Sequence, residues 1–288
     1  MPSVDIDGVA VHYQQVGSGP ELVMVHGLLS SLAFWYLHAL PLLARDFRVT
    51  VYDLRGHGLT AMPRIGYTSR HLAGDLDVLL DRLEIDSIHL VGHSYGGAVA
   101  LHFALLHPDR VRSLVAADAQ VPALPPRPPQ RGTARWRAAM DTLRERGYDI
   151  PEDTPRVAFG FVEELARQPT GPDATALLAA PLDPSSNAQQ RWRQLMGTTT
   201  APRELSSTAG LTARRIRTLG CPTLALYGEH SFARPTQRAL QRNLRNCRPA
   251  LIRGGGHLFP ARQPDTFARA VREFALERPT MTTTGESR

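Results

Sequence analysis

The sequence predicts an α/β fold in which a mostly parallel sheet carries helices on both faces and is interrupted by one helical insertion. Short apolar runs typical of buried strands alternate with segments of helical length and period. This alternation stops after Asp118 and resumes at Thr223. A Gly-x-Ser-x-Gly pattern also lies between a predicted strand and a predicted helix. At 288 residues, one domain with an insertion is favoured over two independent domains.

The elements follow from local patterns taken along the chain. Continuous or alternating apolar runs predict strands at residues 9–16, 21–25, 48–52, 87–91, 111–117, 222–227 and 250–252. Helical spacing of apolar residues predicts helices at about residues 32–44, 69–83, 98–106, 235–246 and 264–276. Strands and helices that alternate in this way favour parallel pairing with right-handed crossovers.

The insertion is predicted from a change in the sequence pattern. Residues 121–131 contain five prolines, and helical segments follow at about 133–146, 155–167, 173–180 and 187–196. We interpret residues 122–206 as a helical cap over a core formed by residues 1–121 and 207–278. The polar, Thr-rich residues 279–288 are predicted to be a disordered tail.

Composition narrows the function classes. The net charge is +6 with every basic residue an arginine, but the arginines are scattered without interleaved aromatic residues, which argues against a nucleic-acid partner. Cys221 and Cys247 form neither a disulfide framework nor a metal motif. No basic, apolar leader and no apolar run near 18 residues is present. We therefore expect a cytoplasmic protein with a small-molecule substrate, no cofactor or metal and no membrane contact; the oligomeric state stays open.

The segment Gly92-His93-Ser94-Tyr95-Gly96 carries the first chemical signal. A serine at a sharp strand-to-helix turn has its hydroxyl exposed above the sheet, and glycines two residues either side avoid collisions with the neighbouring backbone. The helix N-terminus behind it directs unpaired N–H groups at developing negative charge. Ser94 is therefore the candidate nucleophile.

A serine hydroxyl needs a neighbouring base. His257 follows three glycines, after the last predicted strand, which places it at the same sheet edge as Ser94. His26 and His57 adjoin glycines in tight turns, where a histidine more often bonds loop backbone. His93 is expected to point to the other side of its turn. His257 is therefore the candidate base.

An oxyanion would be held by two backbone N–H groups, those of Tyr95 and Leu28. A substrate pocket between cap and sheet is also plausible, although each of its aromatic residues could simply attach the cap to the core. The candidate pocket residues are Phe34, Trp35, Trp136, Phe159 and Trp192.

These motifs resemble the α/β-hydrolase fold superfamily. The resemblance is carried by His26-Gly27, Asp53-x-Arg55-Gly56-His57-Gly58, Gly92 to Gly97 and Gly255-Gly256-His257. It implies an eight-stranded, mostly parallel sheet whose second strand is antiparallel, and a Ser-acid-His triad in that chain order. The motifs are specific for the fold and weakly specific for substrate.

One position departs from the family pattern. The resemblance implies an aspartate in a Gly-x-x-Asp arrangement after the strand at 222–227, where this chain has Gly228-Glu229-His230-Ser231. Certain lipases and haloalkane dehalogenases place the acid after the preceding strand, which here ends at Asp118. Asp118 is therefore the favoured acid, with Glu229 as the runner-up and Asp53 as a poorer option.

The sequence favours a serine hydrolase that cleaves an ester, thioester or related acyl bond of a small apolar or aromatic substrate. Epoxide hydrolases and haloalkane dehalogenases of this superfamily use an aspartate nucleophile, so Ser94 disfavours their chemistry. A C–C bond hydrolase or an acyltransferase on the same triad stays open. The altered acid position also leaves open a ligand-binding protein with a degenerate triad.

Overall fold

A computed structural model describes residues 2–126, 132–146 and 187–277. Its eight-stranded sheet has the order β1-β2-β4-β3-β5-β6-β7-β8. The strands are β1 Ser3–Ile6, β2 Val9–Val16, β3 Glu21–Val25, β4 Arg48–Tyr52, β5 Ile88–His93, β6 Val111–Ala117, β7 Thr223–Gly228 and β8 Cys247–Ile252. Strand β2 pairs antiparallel with both β1 and β4, and the pairs from β4 to β8 are parallel. The predicted α/β class with an eight-stranded, mostly parallel sheet is confirmed.

The helices connect these strands across both faces of the sheet. Their bounds are α1 Ala33–Tyr36, α2 Leu40–Leu43, α3 Ser69–Arg82, α4 Tyr95–Leu106, α5 Ala134–Glu145, α6 Asn187–Thr198, α7 Ala201–Glu204, α8 Ala213–Ile216, α9 Arg234–Asn243, α10 Phe259–Arg262 and α11 Pro264–Leu276. A 3₁₀ turn at Pro108–Arg110 leads from α4 into β6. No helix in the described ranges is long and apolar enough to cross a membrane.

Two apolar clusters lie on opposite faces of the sheet. In β3, Val23 and Val25 belong to the larger cluster, whereas Leu22 and Met24 belong to the smaller one. Successive side chains of a strand point to opposite faces, so a strand covered on both sides is apolar at every position. This double coverage explains the continuous apolar runs of the sequence and holds the carboxyl ends of the strands rigidly at one edge.

The structure corrects one predicted helix and adds one strand that no local pattern predicts. The helix predicted at residues 32–44 is broken into α1 and α2, because Pro41 lacks the N–H that a continuous helix would bond to Leu37, and its ring would clash there. Strand β1 was not predicted at all. Its four residues carry too little pattern to be recognised alone, and they become a strand by pairing with β2.

The predicted insertion is only partly described. Helices α5 and α6 lie close to the predicted segments at 133–146 and 187–196, and α5 is capped by the Thr133 hydroxyl, which accepts the Trp136 N–H. Arg191 of α6 donates to the Thr60 carbonyl in the loop after β4. The segments predicted at 155–167, 173–180 and 279–288 lie outside the described residues. The cap boundaries therefore stay a prediction.

Candidate active site

Ser94 lies between β5 and α4 with φ +55° and ψ −123°, an unfavourable conformation for a residue with a side chain. A Cβ on Gly92 would come within 2.3 Å of the Gly96 carbonyl oxygen, and one on Gly96 within 2.4 Å of the Val25 carbonyl oxygen. The backbone around the serine is therefore too close to its neighbours for any residue but glycine. This is the geometry expected of a nucleophile elbow.

Three predicted side chains meet at the carboxyl edge of the sheet. His257 Nε2 lies 3.0 Å from Ser94 Oγ, and His257 Nδ1 lies 2.6 Å from Asp118 Oδ2. The three residues are 8%, 1% and 0% exposed for Ser94, His257 and Asp118, so solvent competes little for these contacts. The base is separated from its two partners by 163 and 139 residues along the chain.

The Asp118 carboxylate follows β6 and accepts two further hydrogen bonds. Its Oδ1 accepts the Gly228 N–H at 2.9 Å, and its Oδ2 accepts the Ser231 hydroxyl. Burial raises the pKa of Asp118 to about 7, while the hydrogen bonds from Ser231 and Gly228 act in the opposite direction. Ser231, at the place where the resemblance implied the acid, is thus a hydrogen-bond donor to the candidate acid Asp118.

The two other candidate acids are engaged elsewhere. The exposed Glu229 accepts the Gly254 N–H at 2.8 Å, and this bond holds the pKa of its carboxyl below the usual value. The buried Asp53 accepts the Leu32 N–H at 2.7 Å and so ties together the loops after β3 and β4. The carboxylate that contacts His257 Nδ1 is that of Asp118.

His26 and His57 bond loop backbone. His26 Nδ1 lies 2.7 Å from the Gly27 carbonyl, and its Nε2 accepts the Leu54 N–H at 3.1 Å. His57 Nδ1 lies 3.1 Å from the Arg55 carbonyl. Burial lowers the pKa of both imidazoles, that of His57 to about 3. These neutral histidines hold the loops at the edge of the sheet.

His93 has a contact that the sequence did not reveal. Its Nε2 lies 2.9 Å from the carbonyl oxygen of His257, and its ring stacks on Phe34 with centroids 4.8 Å apart. Burial lowers the pKa of His93 to about 3. No local pattern signals this bond, because its partners are 164 residues apart.

The two predicted oxyanion donors are near the nucleophile. Tyr95 is the first residue of α4, where a helix leaves its N–H unpaired. A Cβ on Gly27 would come within 2.8 Å of Ser94 Cβ, so the chain leading to Leu28 passes against the nucleophile. Among the turn, loop and cap bonds of the described residues, no backbone carbonyl accepts the N–H of Leu28 or Tyr95. The oxyanion hole itself stays a prediction.

A cavity of about 750 Å³ lies between the loop after β3, the loop after β4 and α6. Phe34 and Trp192 line it, as do the exposed side chains of Leu37 and Leu59. Ser94 and His257 do not line this cavity, whereas Leu29, the residue after the predicted oxyanion donor Leu28, does.

The other predicted pocket residues have different places. Trp35 is fully buried and stacks on Phe267 with centroids 5.6 Å apart, so it is a core residue and not a pocket wall. Trp136 is buried on α5 as part of the larger apolar cluster. Phe159 lies outside the described residues. Over residues 2–126, 132–146 and 187–277, no group of three or more His, Cys, Asp or Glu is arranged to hold a metal ion.

The chain is similar in sequence to a known protein family and to several named hydrolases. The family model described as alpha/beta hydrolase fold matches residues 20–264. A relative from Pseudomonas syringae, named as a candidate carbamate hydrolase (RutD), is 31% identical over 273 residues, which are 93% of this chain and 98% of that protein. Epoxide hydrolase 2 of Siraitia grosvenorii is 39% identical, but the match covers only 39% of this chain and 36% of that protein.

Solved structures share the whole fold. Cfl2 of Burkholderia cenocepacia superposes with a TM-score of 0.72 at 26% identity and covers 94% of both chains. The meta-cleavage product hydrolase CumD of Pseudomonas fluorescens superposes with a TM-score of 0.71 at 24% identity, over 95% of this chain and 97% of that one. At this level of identity, the likeness to CumD shows the fold alone.

Proposed function

The chain belongs to the alpha/beta hydrolase fold family, and we propose that it hydrolyses an ester, thioester or related acyl bond of a small apolar or aromatic substrate through an acyl-enzyme on Ser94. Relatives among these matches are named hydrolases, and the chain is accordingly a hydrolase in the general sense. The observation that carries the finer proposal is the continuous contact from Ser94 through His257 to Asp118.

In the first step, Ser94 Oγ attacks the carbonyl carbon while His257 Nε2, 3.0 Å away, takes the hydroxyl proton. The Asp118 carboxylate accepts the Nδ1–H of His257, fixes its tautomer and stabilises the imidazolium. The N–H groups of Leu28 and Tyr95 bind the carbonyl oxygen as it becomes negative. The imidazolium then protonates the departing alcohol, thiol or amine, which leaves the acyl group on the serine.

In the second step, a water molecule attacks the acyl carbon and gives its proton to His257 Nε2. The same two N–H groups hold the second oxyanion, and its collapse returns the proton to Ser94 Oγ and releases a carboxylic acid. Every step uses the same contacts, so the reaction needs no group beyond the chain, the substrate and water.

A serine nucleophile distinguishes this reaction from epoxide or carbon–halogen cleavage. Attack of Ser94 on a saturated carbon would form an ether, which has no carbonyl for water to attack and would not be released. Attack on an acyl carbon forms an ester that the same oxyanion hole can cleave. The partial matches to epoxide hydrolases and to a fluoroacetate dehalogenase therefore do not extend to their reactions.

A carbamate is a second candidate substrate, because the relatives named for it match 93% of this chain. A carbamate presents the same acyl carbon to Ser94, and its leaving group is protonated by the same His257. C–C bond hydrolysis has the weaker support: a relative named 2-hydroxy-6-oxo-2,4-heptadienoate hydrolase, whose substrate contains no ester, matches only 39% of this chain. A pure ligand-binding role has less, because the triad contacts are intact.

We further infer that residues 122–206 form a cap over the active site. Helix α6, within this range, already forms one wall of the cavity through Trp192. The cavity is lined by Leu29 and Ser30 of the loop after β3 and by large apolar side chains such as Phe34 and Leu59. These features support an apolar or aromatic substrate.

The test is turnover of p-nitrophenyl esters of increasing acyl length, with thioesters and aryl carbamates in parallel, and labelling by a fluorophosphonate. We expect turnover of at least one acyl series and label on Ser94 only, with neither in the Ser94→Ala variant. Failure of the wild-type protein to label would refute the proposed nucleophile. Labelling without turnover of any acyl compound would refute the substrate class.

A further inference from the structure

We propose that His93 is a positioning residue for the base: its imidazole holds the backbone of His257 so that the His257 ring reaches both Ser94 and Asp118. This inference rests on the proposed function, because it assigns His93 a part in the geometry of that triad. It concerns the buried bond between His93 Nε2 and the His257 carbonyl oxygen, at 2.9 Å.

His93 is packed between the segments that the reaction uses. It is the last residue of β5 and directly precedes Ser94. Its ring centroid lies 4.8 Å from that of Phe34, which follows the oxyanion loop, and 4.8 Å from that of His257. Trp35 contacts it edge-on at 6.0 Å. One side chain on the rigid strand end therefore contacts both the helix after the oxyanion loop and the loop that carries the base.

The base loop needs such an anchor. His257 follows Gly254, Gly255 and Gly256, and Gly254 has φ +66°, in the region that favours glycine. Three successive glycines leave a backbone with large conformational freedom. Hydrogen bonds from Gly254 N–H to Glu229 and from Phe259 N–H to the Gly256 carbonyl hold the glycines, and the bond from His257 Nδ1 to Asp118 holds the ring of His257. The bond from His93 fixes the main chain itself.

This role requires a neutral His93 with its proton on Nε2, since only a donor can bond a carbonyl oxygen. The burial of the ring, 3% exposed, favours the neutral form. A neutral ring 4.8 Å from His257 also adds no repulsion when His257 becomes an imidazolium. The bond to the His257 carbonyl oxygen and the burial of the ring thus both favour a neutral His93 with its proton on Nε2.

The test separates the donor from the bulk of the ring. His93→Phe keeps an aromatic ring and removes the donor, whereas His93→Gln keeps a neutral donor of similar reach and removes the ring. His93→Asn is a second donor-deficient variant, because its side chain is one methylene shorter than that of glutamine and its amide N–H does not reach the His257 carbonyl oxygen. The matched controls are His89→Phe and His89→Gln. His89 is also buried and also in β5, but its Nδ1 contacts Ser113 Oγ, at 2.8 Å, and not a residue of the triad.

We expect His93→Phe and His93→Asn to lower kcat by about 10- to 100-fold with KM nearly unchanged, because a shift near 1 Å in a reacting group can cost about 10²-fold. Fluorophosphonate labelling should slow in proportion. His93→Gln should recover most of both rates. The low-field proton resonance of the His257–Asp118 hydrogen bond should weaken in the donor-deficient variants and persist in His93→Gln and in both His89 variants.

A donor-deficient variant with wild-type kcat, or a His93→Gln variant as impaired as the others, would overturn the proposal. Equal losses in the His89 variants would also overturn it, because they would show a general effect of a buried histidine. The resonance and the labelling need no substrate. An absence of acyl turnover would therefore count against the proposed function and leave this proposal to be decided by those two measurements.

Discussion

Replacing Ser231 by alanine should move the acidic limb of the kcat/KM profile to higher pH. The Ser231 hydroxyl donates to Asp118 Oδ2, the same oxygen that lies 2.6 Å from His257 Nδ1. Both Ser231 and Asp118 are buried, so the lost donor is poorly replaced by solvent. The variant removes one of three hydrogen bonds to this carboxylate while its contact with His257 remains.

The sign follows from the active protonation state. The proposed reaction needs an ionised Asp118 and a neutral His257, so we expect activity to be lost as pH falls and the pair takes up a proton. A hydrogen-bond donor stabilises the carboxylate and lowers the proton affinity of the pair. Removing Ser231 leaves a more basic carboxylate, which favours the imidazolium of His257. The apparent pKa therefore rises.

The magnitude comes from the bond that is lost. A hydrogen bond to a charged group contributes about 1.5–3 kcal/mol, and one pKa unit corresponds to about 1.4 kcal/mol. The limb should thus move up by about one to two units, as a property of the coupled pair. At pH values well above the limb, kcat should change little, because the bond between His257 and Asp118 remains.

The assay is the pH dependence of kcat/KM for the best ester found, at a temperature where every variant is folded. Ser231 Oγ also accepts the Ala233 N–H at 3.0 Å, so the alanine variant should be somewhat less stable. Ser231→Thr keeps a hydroxyl and should restore the limb. The matched control is Ser113→Ala, which removes another buried serine hydroxyl, one that contacts His89 and not the triad. An unshifted or lowered limb in Ser231→Ala would refute the reasoning.

Three further predictions test the acid, the elbow and the core. Asp118→Asn should lower kcat by about 10⁴-fold while Glu229→Gln stays near wild type; the reverse result in steady-state kinetics would reassign the acid. Gly92→Ala should prevent stable folding or labelling by a fluorophosphonate, because its methyl would lie 2.3 Å from the Gly96 carbonyl oxygen. Trp35→Ala should destabilise the protein by about 3–5 kcal/mol in denaturant unfolding, and a loss below about 1 kcal/mol would contradict its place in the core.

Elements with a strong local pattern were predictable from the sequence. The strands at residues 9–16, 21–25, 48–52 and 111–117 have the predicted bounds, because a sheet buried on both faces demands unbroken or alternating apolar residues. Ser94 was also recognisable, since the elbow needs glycines at fixed short distances from the serine. His257 was recognisable by its place after three glycines and the last strand.

Elements whose form depends on distant partners were not predictable. Strand β1 exists through its pairing with β2, and Trp35 is a core residue because α11 supplies Phe267 as its partner. The sequence placed Trp35 beside the pocket because it follows the oxyanion loop. The break between α1 and α2 could have been found from Pro41 alone, which prevents a continuous helix.

The identity of the base's partner was decided only by the tertiary structure. The sequence by itself determined the α/β class, the elbow and the order of nucleophile and base, because these follow from residues near one another in the chain. It left Asp118, Glu229 and Asp53 as alternatives and gave Ser231 and His93 no role. The contacts that distinguish them join residues more than 100 positions apart, where only the packed sheet determines which groups come within hydrogen-bonding distance.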